Sequence, residues 1–369
     1  MNPSEIVEQF DVEGRLVSIK PTGSGNVNDT YMAVFRTTFS EQRFIVQRIN
    51  KNVFAHPDWI MENLSILSNH VHKRLMAEAD DADRIWQLPG VISAKNGQDF
   101  ILDKNGDYWR ALTLIASATA YERPQGAEHA FEVGTVLGQF HRLTSNMNPR
   151  SLRDTLPGFH DTPRYLKKYD ETLKSELAQT LLRSSMEAKR LKSFIDERRG
   201  FASVLQDALK RGDLKLCLIH GDPKVSNIMI DEDSGKGTAI IDLDTVKPGL
   251  IHYDFGDALR SICNLEGEET DNLKSVVFDL ELCEAFVNGY MKYAKDFLSD
   301  VSRRYLYDSI RLITFELGLR FFHDYLAGDR YFKVHEKEQN LHRAHVQFKL
   351  CESIETRKKI IKDVLEQHD

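Results

Sequence analysis

Residues 218–244 read LIHGDPKVSNIMIDEDSGKGTAIIDLD, and this stretch decides the fold of the chain. Two short apolar runs, IMID and AIID, flank the turn-rich sequence DEDSGKG, and this pattern predicts a β-hairpin. Polar residues lie at the ends of the runs. Asp222 precedes the first run, Asn227 follows Asp222 by five positions, and Asp242 closes the second run. Such a loop and hairpin can place a carboxylate and two further oxygen ligands around one point.

The order Asp, Asn, Asp is typical of phosphoryl-transfer loops. Protein kinases use H-R-D-x-x-x-x-N followed by D-F-G, and this chain has H-G-D-x-x-x-x-N followed by I-D-L-D. An attacking hydroxyl needs a carboxylate near its proton, which indicates Asp222 as the base. A polyphosphate needs Mg²⁺ held by protein oxygens, which indicates Asn227 and Asp242 as ligands. The alternative is an ordinary hairpin in which Asp and Asn only form turns.

Length and composition narrow the class of protein. The chain has 369 residues, which suits two lobes or domains better than one core. Hydrophobic residues make up 41% and the formal net charge is -7, so we expect a globular protein without a nucleic-acid partner. Four cysteines without a C-x-x-C pair predict free thiols in a reducing compartment. No signal-like or membrane-length apolar segment is visible, so we expect a cytoplasmic protein without membrane contact. We also expect a monomer.

The first hundred residues predict a β-rich region. Strands are indicated over 15–20 and 31–35, with a glycine-containing polar turn between them. Such a turn can lay backbone N–H groups over phosphates, although a Gly-x-Gly hairpin is more often only a turn. The candidate nucleotide contacts in and after this turn are Gly23, Gly25, Asn26 and Asn28.

A third strand is predicted over 43–49, where a kinase-like lobe carries a phosphate-binding lysine. This chain has Gln47 and Arg48 instead, on opposite faces of the strand, and the sequence leaves open which one faces the nucleotide. A helix is predicted over 57–77. Its Glu62 could pair with Arg48 or could be an ordinary surface residue.

The lobe connection is predicted near residues 115–118, after strands over 99–103 and 107–115. Backbone groups of this connector, including Ile115, could contact the adenine edge. We therefore expect a nucleotide-binding lobe over 1–115 and a mainly helical catalytic lobe over 116–369.

Two acidic residues, Asp254 and Asp257, follow the predicted hairpin. They could cap the next helix or orient the catalytic loop, and capping is the more ordinary role. His141 is predicted at a helix end or on the surface, and the terminal pair His342 and His345 could bind a metal only with a third ligand.

Helices are predicted over 276–298 and 300–327. In the second helix Arg320 and Asp324 share a stripe on a largely apolar segment. Charges on such a helix must be paired or line a cavity, so these two residues form either an ion pair or part of a substrate site.

Taken together, these motifs resemble the aminoglycoside phosphotransferase-like kinase family, which includes choline and homoserine kinases. Within it the chain looks most like the N-acetylhexosamine 1-kinase group. The stretches that carry the resemblance are GSGNVNDTY, FIVQRIN, VFAHP, MENL, LIHGDPKVSN, IIDLDTVKPG, YDFGDALRS and RFFHDYLAGDRYFKV. The HGD…N…D core is common to the broad family, whereas QRIN, DLDTVKPG and DYLAGDRYF are more specific.

The resemblance implies an α+β, bilobal, protein-kinase-like fold with ATP and Mg²⁺ as cofactors. It implies that Asp222 is the catalytic base and that Asn227 and Asp242 hold Mg²⁺, with Asp244 the weaker candidate for a ligand. Lys224 would lie near the transferred phosphoryl group. Arg320 and Tyr331 would contact a sugar, and Asp324 is a further candidate for that role. Gln47, where relatives place lysine, departs from the family pattern.

These expectations combine into an ATP-dependent kinase that phosphorylates the anomeric hydroxyl of an N-acetylhexosamine. One alternative is a kinase of another small alcohol, such as choline, homoserine or an aminoglycoside. A choline site would need an aromatic cage and an aminoglycoside site clustered carboxylates. The other alternative is a nucleotide-binding regulatory protein without turnover.

Overall fold

The computed structural model describes residues 2–23, 27–77 and 84–367 and has two compact units. The first unit consists of residues 1–119, 148–157 and 229–248, and the second of residues 120–147, 158–228 and 249–369. The first unit contains an antiparallel β-sheet and the second is mostly helical. The prediction of an α+β, kinase-like fold with a β-rich and a helical lobe is confirmed, and the single boundary between 115 and 116 stays a prediction.

The elements follow one another in chain order. The strands are β1 (Arg15–Pro21), β2 (Asp29–Arg36), β3 (Glu41–Arg48), β4 (Val91–Ile92), β5 (Ile101–Leu102), β6 (Tyr108–Thr113), β7 (Ala118–Ala120), β8 (Cys217–Ile219), β9 (Ile228–Asp231), β10 (Gly237–Ile240) and β11 (Lys247–Gly249). The α-helices are α1 (Pro3–Val7), α2 (Pro57–Ala77), α3 (Ala127–Thr144), α4 (Thr162–Thr172), α5 (Glu176–Ser184), α6 (Met186–Arg198), α7 (Val204–Arg211), α8 (Ile251–Ile262), α9 (Leu280–Ala294), α10 (Asp300–Arg303), α11 (Leu306–Leu326), α12 (Gln339–Thr356) and α13 (Lys358–Glu366).

The sheet of the first unit has the order β1-β2-β3-β6-β4, and β5 pairs with β6. Alternation along the strands sends one face into an apolar core that includes Phe10, Phe35, Val46 and Trp109. The register places Gln47 on β3 directly opposite Arg110 on β6. The three strands predicted before residue 50 are confirmed, and this pairing brings two polar side chains together on one face of the sheet.

The predicted hairpin is formed by β9 and β10, with strand order β10-β9-β7. Strand β10 ends at Ile240, two residues before the predicted end of the apolar run. Asp242 then adopts a left-handed conformation with φ of 62°. A non-glycine residue in this region is strained, and such strain is common at functional sites.

The second unit is built around α11, which packs on α8 and α12. The close approach of α8 depends on Gly256, because a Cβ at this position would lie 2.5 Å from the Ser309 carbonyl oxygen. The helix predicted over 300–327 is interrupted: α10 ends at Arg303 and α11 begins at Leu306. Gly328, with φ of 87°, follows the end of α11 and permits the reversal of the chain that helix ends often need.

The structure contains the free thiols that the cysteine spacing predicts. Cys263, Cys283 and Cys351 are buried, Cys217 is partly buried, and all four are free. Over the described ranges, no helix has the length and apolar character needed to cross a membrane.

Candidate active site

The loop after β8 carries the predicted base. Lys224 Nζ lies 3.2 Å from Asp222 Oδ2. The side-chain amide of Asn227 donates to the Asp222 carbonyl oxygen at 2.7 Å and approaches Asp222 Oδ2 at 3.4 Å. The structure therefore brings together Asp222, Lys224 and Asn227 within one turn of chain, as the motif predicts.

The electrostatic surroundings keep Asp222 ionised. Burial raises the pKa of this carboxyl, but the nearby positive charges of Lys224, His220 and Arg260 outweigh burial, and the net shift is downward. A carboxylate that is charged at neutral pH can accept a hydrogen bond from a hydroxyl and take its proton as transfer proceeds.

Asp254 on α8 anchors the beginning of this loop. Its carboxylate accepts the backbone N–H of His220 at 2.6 Å and that of Gly221 at 2.8 Å. It also contacts Nε2 of His141 at 2.9 Å, and His141 Nδ1 lies 2.9 Å from the Tyr290 hydroxyl. Of the two roles considered for Asp254, orientation of the loop is the one observed, and helix capping is wrong. His141 lies in the last turn of α3, as the helix-end prediction states, but its side chain is buried and not on the surface.

Gly221 is the residue that makes this anchoring possible. Its φ of 89° lies in the left-handed region, where glycine is favoured because it has no Cβ. The turn at this residue directs its N–H to Asp254 and its carbonyl oxygen to His160. The glycine of the HGD motif thus fixes the backbone that immediately precedes Asp222.

Helix α8 contacts the catalytic loop at two points. Besides Asp254, Ser261 accepts the backbone N–H of Val225 through Oγ at 3.1 Å. Asp257 lies between these two positions on the same helical face, since residues three and four apart are neighbours. Asp257 pairs with Arg260 at 2.9 Å, and its pKa is raised by burial and by the negative charge of Asp222.

Arg320 on α11 lies in an aromatic enclosure. Its guanidinium carbon lies between 5.0 and 5.8 Å from the centres of four rings, which belong to Phe159, Tyr165, Tyr331 and Phe332. Among the described residues the guanidinium has these aromatic neighbours and neither a hydrogen bond nor an ion pair. Arg320 is partly buried, and the described part of the chain provides no acceptor for its N–H donors.

Asp324 does not pair with Arg320. Its carboxylate accepts the backbone N–H groups of Arg330, Tyr331 and Phe332 at 2.9 to 3.0 Å, together with the amide of Asn340 at 3.0 Å. The residue is 3% exposed. In place of the predicted ion pair or substrate contact, Asp324 holds the segment that presents Tyr331 and Phe332 to Arg320.

In the first unit, Asp244 and Gln47 share a buried arginine. Arg110 Nη2 lies 2.5 Å from Asp244 Oδ1, and the same guanidinium donates to Gln47 Oε1 at 2.7 and 3.0 Å. Gln47 donates in turn to Thr30, and Asn28 donates to Asp244 Oδ2 at 2.7 Å. Arg110 and Asp244 are each 2% exposed. Gln47 and Asn28 therefore lie on the side of the sheet that meets the turn carrying Asp242 and Asp244.

Arg48 lies in an exposed cluster of charges. It contacts Asp29 in a short ion pair and Asp107 at 3.5 Å. Glu62 pairs with Arg153 at 2.6 Å, so the suggested pairing of Glu62 with Arg48 is wrong. Arg48 and Glu62 thus have different partners, Arg48 pairing with Asp29 and Asp107 and Glu62 with Arg153. The residue directly opposite Gln47 on the sheet is the buried Arg110.

The remaining predicted nucleotide contacts are distributed as follows. Gly23 has φ of 76° and open space around its Cα, as a turn glycine would. Gly25 and Asn26 lie outside the described residues. Ile115 is 6% exposed and follows the end of β6. Nucleotide binding by these residues stays a prediction.

Comparison with known proteins decides the family. Residues 18–276, well over half of the chain, match the model of the phosphotransferase enzyme family (APH). The chain belongs to this phosphotransferase family. The prediction of phosphoryl transfer to a small-molecule hydroxyl is confirmed at this level.

The solved structures that are similar to this phosphotransferase include the following three. A microcompartment-associated aminopropanol kinase is 17% identical, with 97% of each chain covered and a TM-score of 0.59. An aminoglycoside phosphotransferase from Alicyclobacillus acidocaldarius is 15% identical, and the match covers 100% of this chain and 97% of the other chain, with a TM-score of 0.55. A choline kinase from Cryptosporidium parvum is 13% identical, with 96% and 93% covered and a TM-score of 0.55. At these identities the likeness shows the fold.

Asn227 and Asp242 each offer an oxygen atom that suits a divalent cation. Because the Asn227 amide nitrogen faces the Asp222 carbonyl, its oxygen is the end that can ligate a cation, and among the described residues no donor contacts this oxygen. Asp242 sits in a strained turn after β10 and offers a carboxylate. Oxygen ligands of this kind suit Mg²⁺. The pair His342 and His345 gains no third His, Cys, Asp or Glu ligand in the described part of the chain.

The sequence analysis did not single out three residues that make buried polar contacts: Arg110, which pairs with Asp244, and His160 and Glu316, which bond to each other behind the loop of Asp222. Arg110 lies in a predicted strand and could have been noticed as a charge in an otherwise apolar run, DYWRALTLI. His160 and Glu316 are 156 positions apart and give no local signal. Their partners are visible only after folding.

Proposed function

We propose that this phosphotransferase is an ATP-dependent kinase that acts on the anomeric hydroxyl of an N-acetylhexosamine. The products would be the sugar 1-phosphate and ADP, with N-acetylglucosamine or N-acetylgalactosamine as the acceptor. The same proposal includes a cytoplasmic monomer whose partners are ATP and the sugar.

The observation that supports a sugar acceptor is the environment of Arg320. An aromatic enclosure could bind a quaternary ammonium through cation–π contacts, as a choline kinase would require. In this chain the four rings already surround a guanidinium. A positively charged acceptor would meet like charge there, whereas hydroxyl or carbonyl oxygens of a neutral sugar could accept from the N–H groups.

The chemistry proposed for the loop follows from its geometry. Asp222 orients the acceptor hydroxyl and takes its proton as the phosphoryl group is transferred, while Lys224 offers positive charge beside it. Asn227 and Asp242 are the proposed Mg²⁺ ligands, and the bound cation would neutralise phosphate charge. Gln47 is the proposed nucleotide-side residue of β3, because it shares a face with Asp244, whereas Arg48 is held by exposed acids.

The test of substrate class is ADP release with N-acetylhexosamines, plain hexoses, choline, homoserine and aminoglycosides as acceptors. We expect stimulation by N-acetylhexosamines above all others. Lack of stimulation by every N-acetylhexosamine would overturn the sugar assignment. Stimulation by choline or an aminoglycoside alone would support the other kinases, and ATP binding without any turnover would support a regulatory protein.

The test of the base is Asp222→Asn. Loss of the carboxylate should lower kcat by about 10²- to 10⁴-fold, the usual contribution of a positioned general base. Asp231→Asn is a matched control, because Asp231 lies half-buried at the end of β9 and, among the described residues, its carboxylate accepts hydrogen bonds from Ser234 in the hairpin turn. Near-normal ADP release by Asp222→Asn would show that Asp222 is not the base.

A further inference from the structure

His160 lies behind the catalytic loop and is used by no step described above. It is 4% exposed and has φ of 63°, a left-handed conformation that is uncommon for a residue with a side chain. Its Nε2 lies 2.8 Å from the carbonyl oxygen of Gly221, the residue before Asp222. Its Nδ1 lies 3.0 Å from Oε1 of Glu316 on α11.

Both ring nitrogens of His160 face hydrogen-bond acceptors. The Gly221 carbonyl can only accept, and an ionised Glu316 can only accept. A neutral imidazole has one N–H and could satisfy only one of them, whereas an imidazolium has two. Glu316 is 1% exposed and also accepts from the Thr162 hydroxyl at 2.6 Å through its other oxygen. The hydrogen-bond pattern is therefore complete when His160 is positively charged and Glu316 is negatively charged.

The charges around His160 favour this state. Burial lowers the pKa of His160, but Glu316 and the Gly221 carbonyl raise it by more, so the net shift is upward. Two titratable residues of α8, Asp257 and Tyr253, also face the ring. Asp257 adds a favourable charge, and the Tyr253 ring stacks on His160 at 5.2 Å. From α7, the uncharged amide of Gln206 contacts the His160 carbonyl at 3.3 Å.

The same short segment reaches the enclosure of Arg320. Phe159 precedes His160, and its ring centre lies 5.0 Å from the Arg320 guanidinium. Glu316 precedes Arg320 by four residues, so the two side chains occupy one face of α11. The dipeptide of Phe159 and His160 thus contacts Arg320 on one side and the backbone next to Asp222 on the other.

We propose that His160 is a positioning residue that, as a buried imidazolium, holds the Gly221 carbonyl to Glu316 and so fixes Asp222 relative to the helix that carries Arg320. The kinetic part of this inference rests on the proposed kinase activity, whereas the charge state of His160 does not. The imidazolium is fully present below the folded-state pKa, which lies above the ordinary value of histidine, and it is lost as pH rises through that pKa. The contribution of His160 to kcat should therefore decrease on the alkaline side.

The charge state can be tested without any substrate. In ¹⁵N-histidine NMR of the full chain at pH 7, His160, assigned through His160→Gln, should show both ring nitrogens protonated. Glu316→Gln should give a neutral His160 ring with one protonated nitrogen, because a neutral amide does not balance the positive charge of the imidazolium. A neutral His160 in the unchanged protein at pH 7 would overturn the proposal, whether or not the protein phosphorylates a sugar.

The positioning role is tested by the pH profile of kcat. His160→Gln should lower kcat by about 10- to 100-fold, because small displacements of reacting groups are costly, and should remove the alkaline decrease assigned to His160. The KM for ATP should change less than about twofold, because the displaced group is the base Asp222 and not a nucleotide contact. His323→Gln is the matched control on α11, since in the described part of the chain the His323 ring hydrogen-bonds to Thr172 and not to the loop of Asp222, and it should keep the normal profile. A His160→Gln enzyme with unchanged kcat and an unchanged alkaline decrease would overturn the positioning role.

Discussion

Arg110 and Arg320 both direct a guanidinium into the protein, but their surroundings are opposite. In the β-rich unit, Arg110 is 2% exposed, forms an ion pair with Asp244 and donates hydrogen bonds to Gln47. In the helical unit, Arg320 is partly buried, surrounded by rings, and without a carboxylate partner in the described part of the chain. A buried charge that is paired and hydrogen-bonded is a structural element, whereas one with unused donors is suited to bind a ligand. The difference separates an arginine that is paired within the fold from one that we propose contacts the acceptor.

The largest expected effect is on stability at Arg110. Arg110→Met should lower the free energy of unfolding by about 3–5 kcal/mol, because it leaves the Asp244 carboxylate buried without its partner. Urea denaturation of the variant measures this loss. Arg48→Met is the matched control on the neighbouring strand, and it should cost at most about 1 kcal/mol because its ion pairs are exposed. Equal losses in the two variants would remove the distinction between a buried and an exposed arginine in this sheet.

The next effect concerns acceptor recognition at Arg320. Arg320→Met should lower kcat/KM for the acceptor by roughly 10- to 100-fold, since hydrogen bonds to a charged group contribute about 1.5–3 kcal/mol. The free energy of unfolding should change by less than about 1 kcal/mol, because no buried partner is left unpaired. Steady-state kinetics and denaturation of the same sample give both values. A large loss of stability with normal acceptor kinetics would show that Arg320 is structural, like Arg110.

The smallest effect is expected at Gln47. Gln47→Met removes the hydrogen bonds to Arg110 and Thr30 but keeps the Arg110–Asp244 pair, so it should cost about 1–2 kcal/mol in the free energy of unfolding. Gln42→Met, an exposed change on the same strand, should have little effect. If Gln47→Met were as damaging as Arg110→Met, the ion pair with Asp244 would depend on Gln47. If it had no effect, Gln47 would not support Arg110 at all.

Much of the fold was predictable because its signals are local. Alternating apolar residues around Val46 and the turn between IMID and AIID predict strands from neighbours in the sequence. The grouping of Asp222, Lys224 and Asn227 was predictable for the same reason, since these residues lie within one short turn.

The contacts that assign roles to the charged residues were not predictable in this way. Helix capping, one of the two roles considered for Asp254, was wrong because its carboxylate accepts from the N–H groups of His220 and Gly221, which lie 34 and 33 positions away. The ion pair was wrong for Arg320 because Asp324, although one turn away, is taken by the backbone of the following segment. Spacing along a helix indicates which side chains are close enough to pair. Whether they form a pair depends on the other hydrogen-bond donors that compete for the same carboxylate.

The sequence by itself determined that this chain has a hairpin preceded by a loop in which Asp222, Lys224 and Asn227 lie together, a β-rich lobe and a helical lobe. These follow from periodicity and from residues close together in the chain. Only the tertiary structure decided that Arg110 occupies the position opposite Gln47, that Arg320 keeps its donors free, and that His160 joins Gly221 to Glu316. The physical reason is that the charge and hydrogen-bonding of a buried polar group depend on partners that the fold brings from distant parts of the chain.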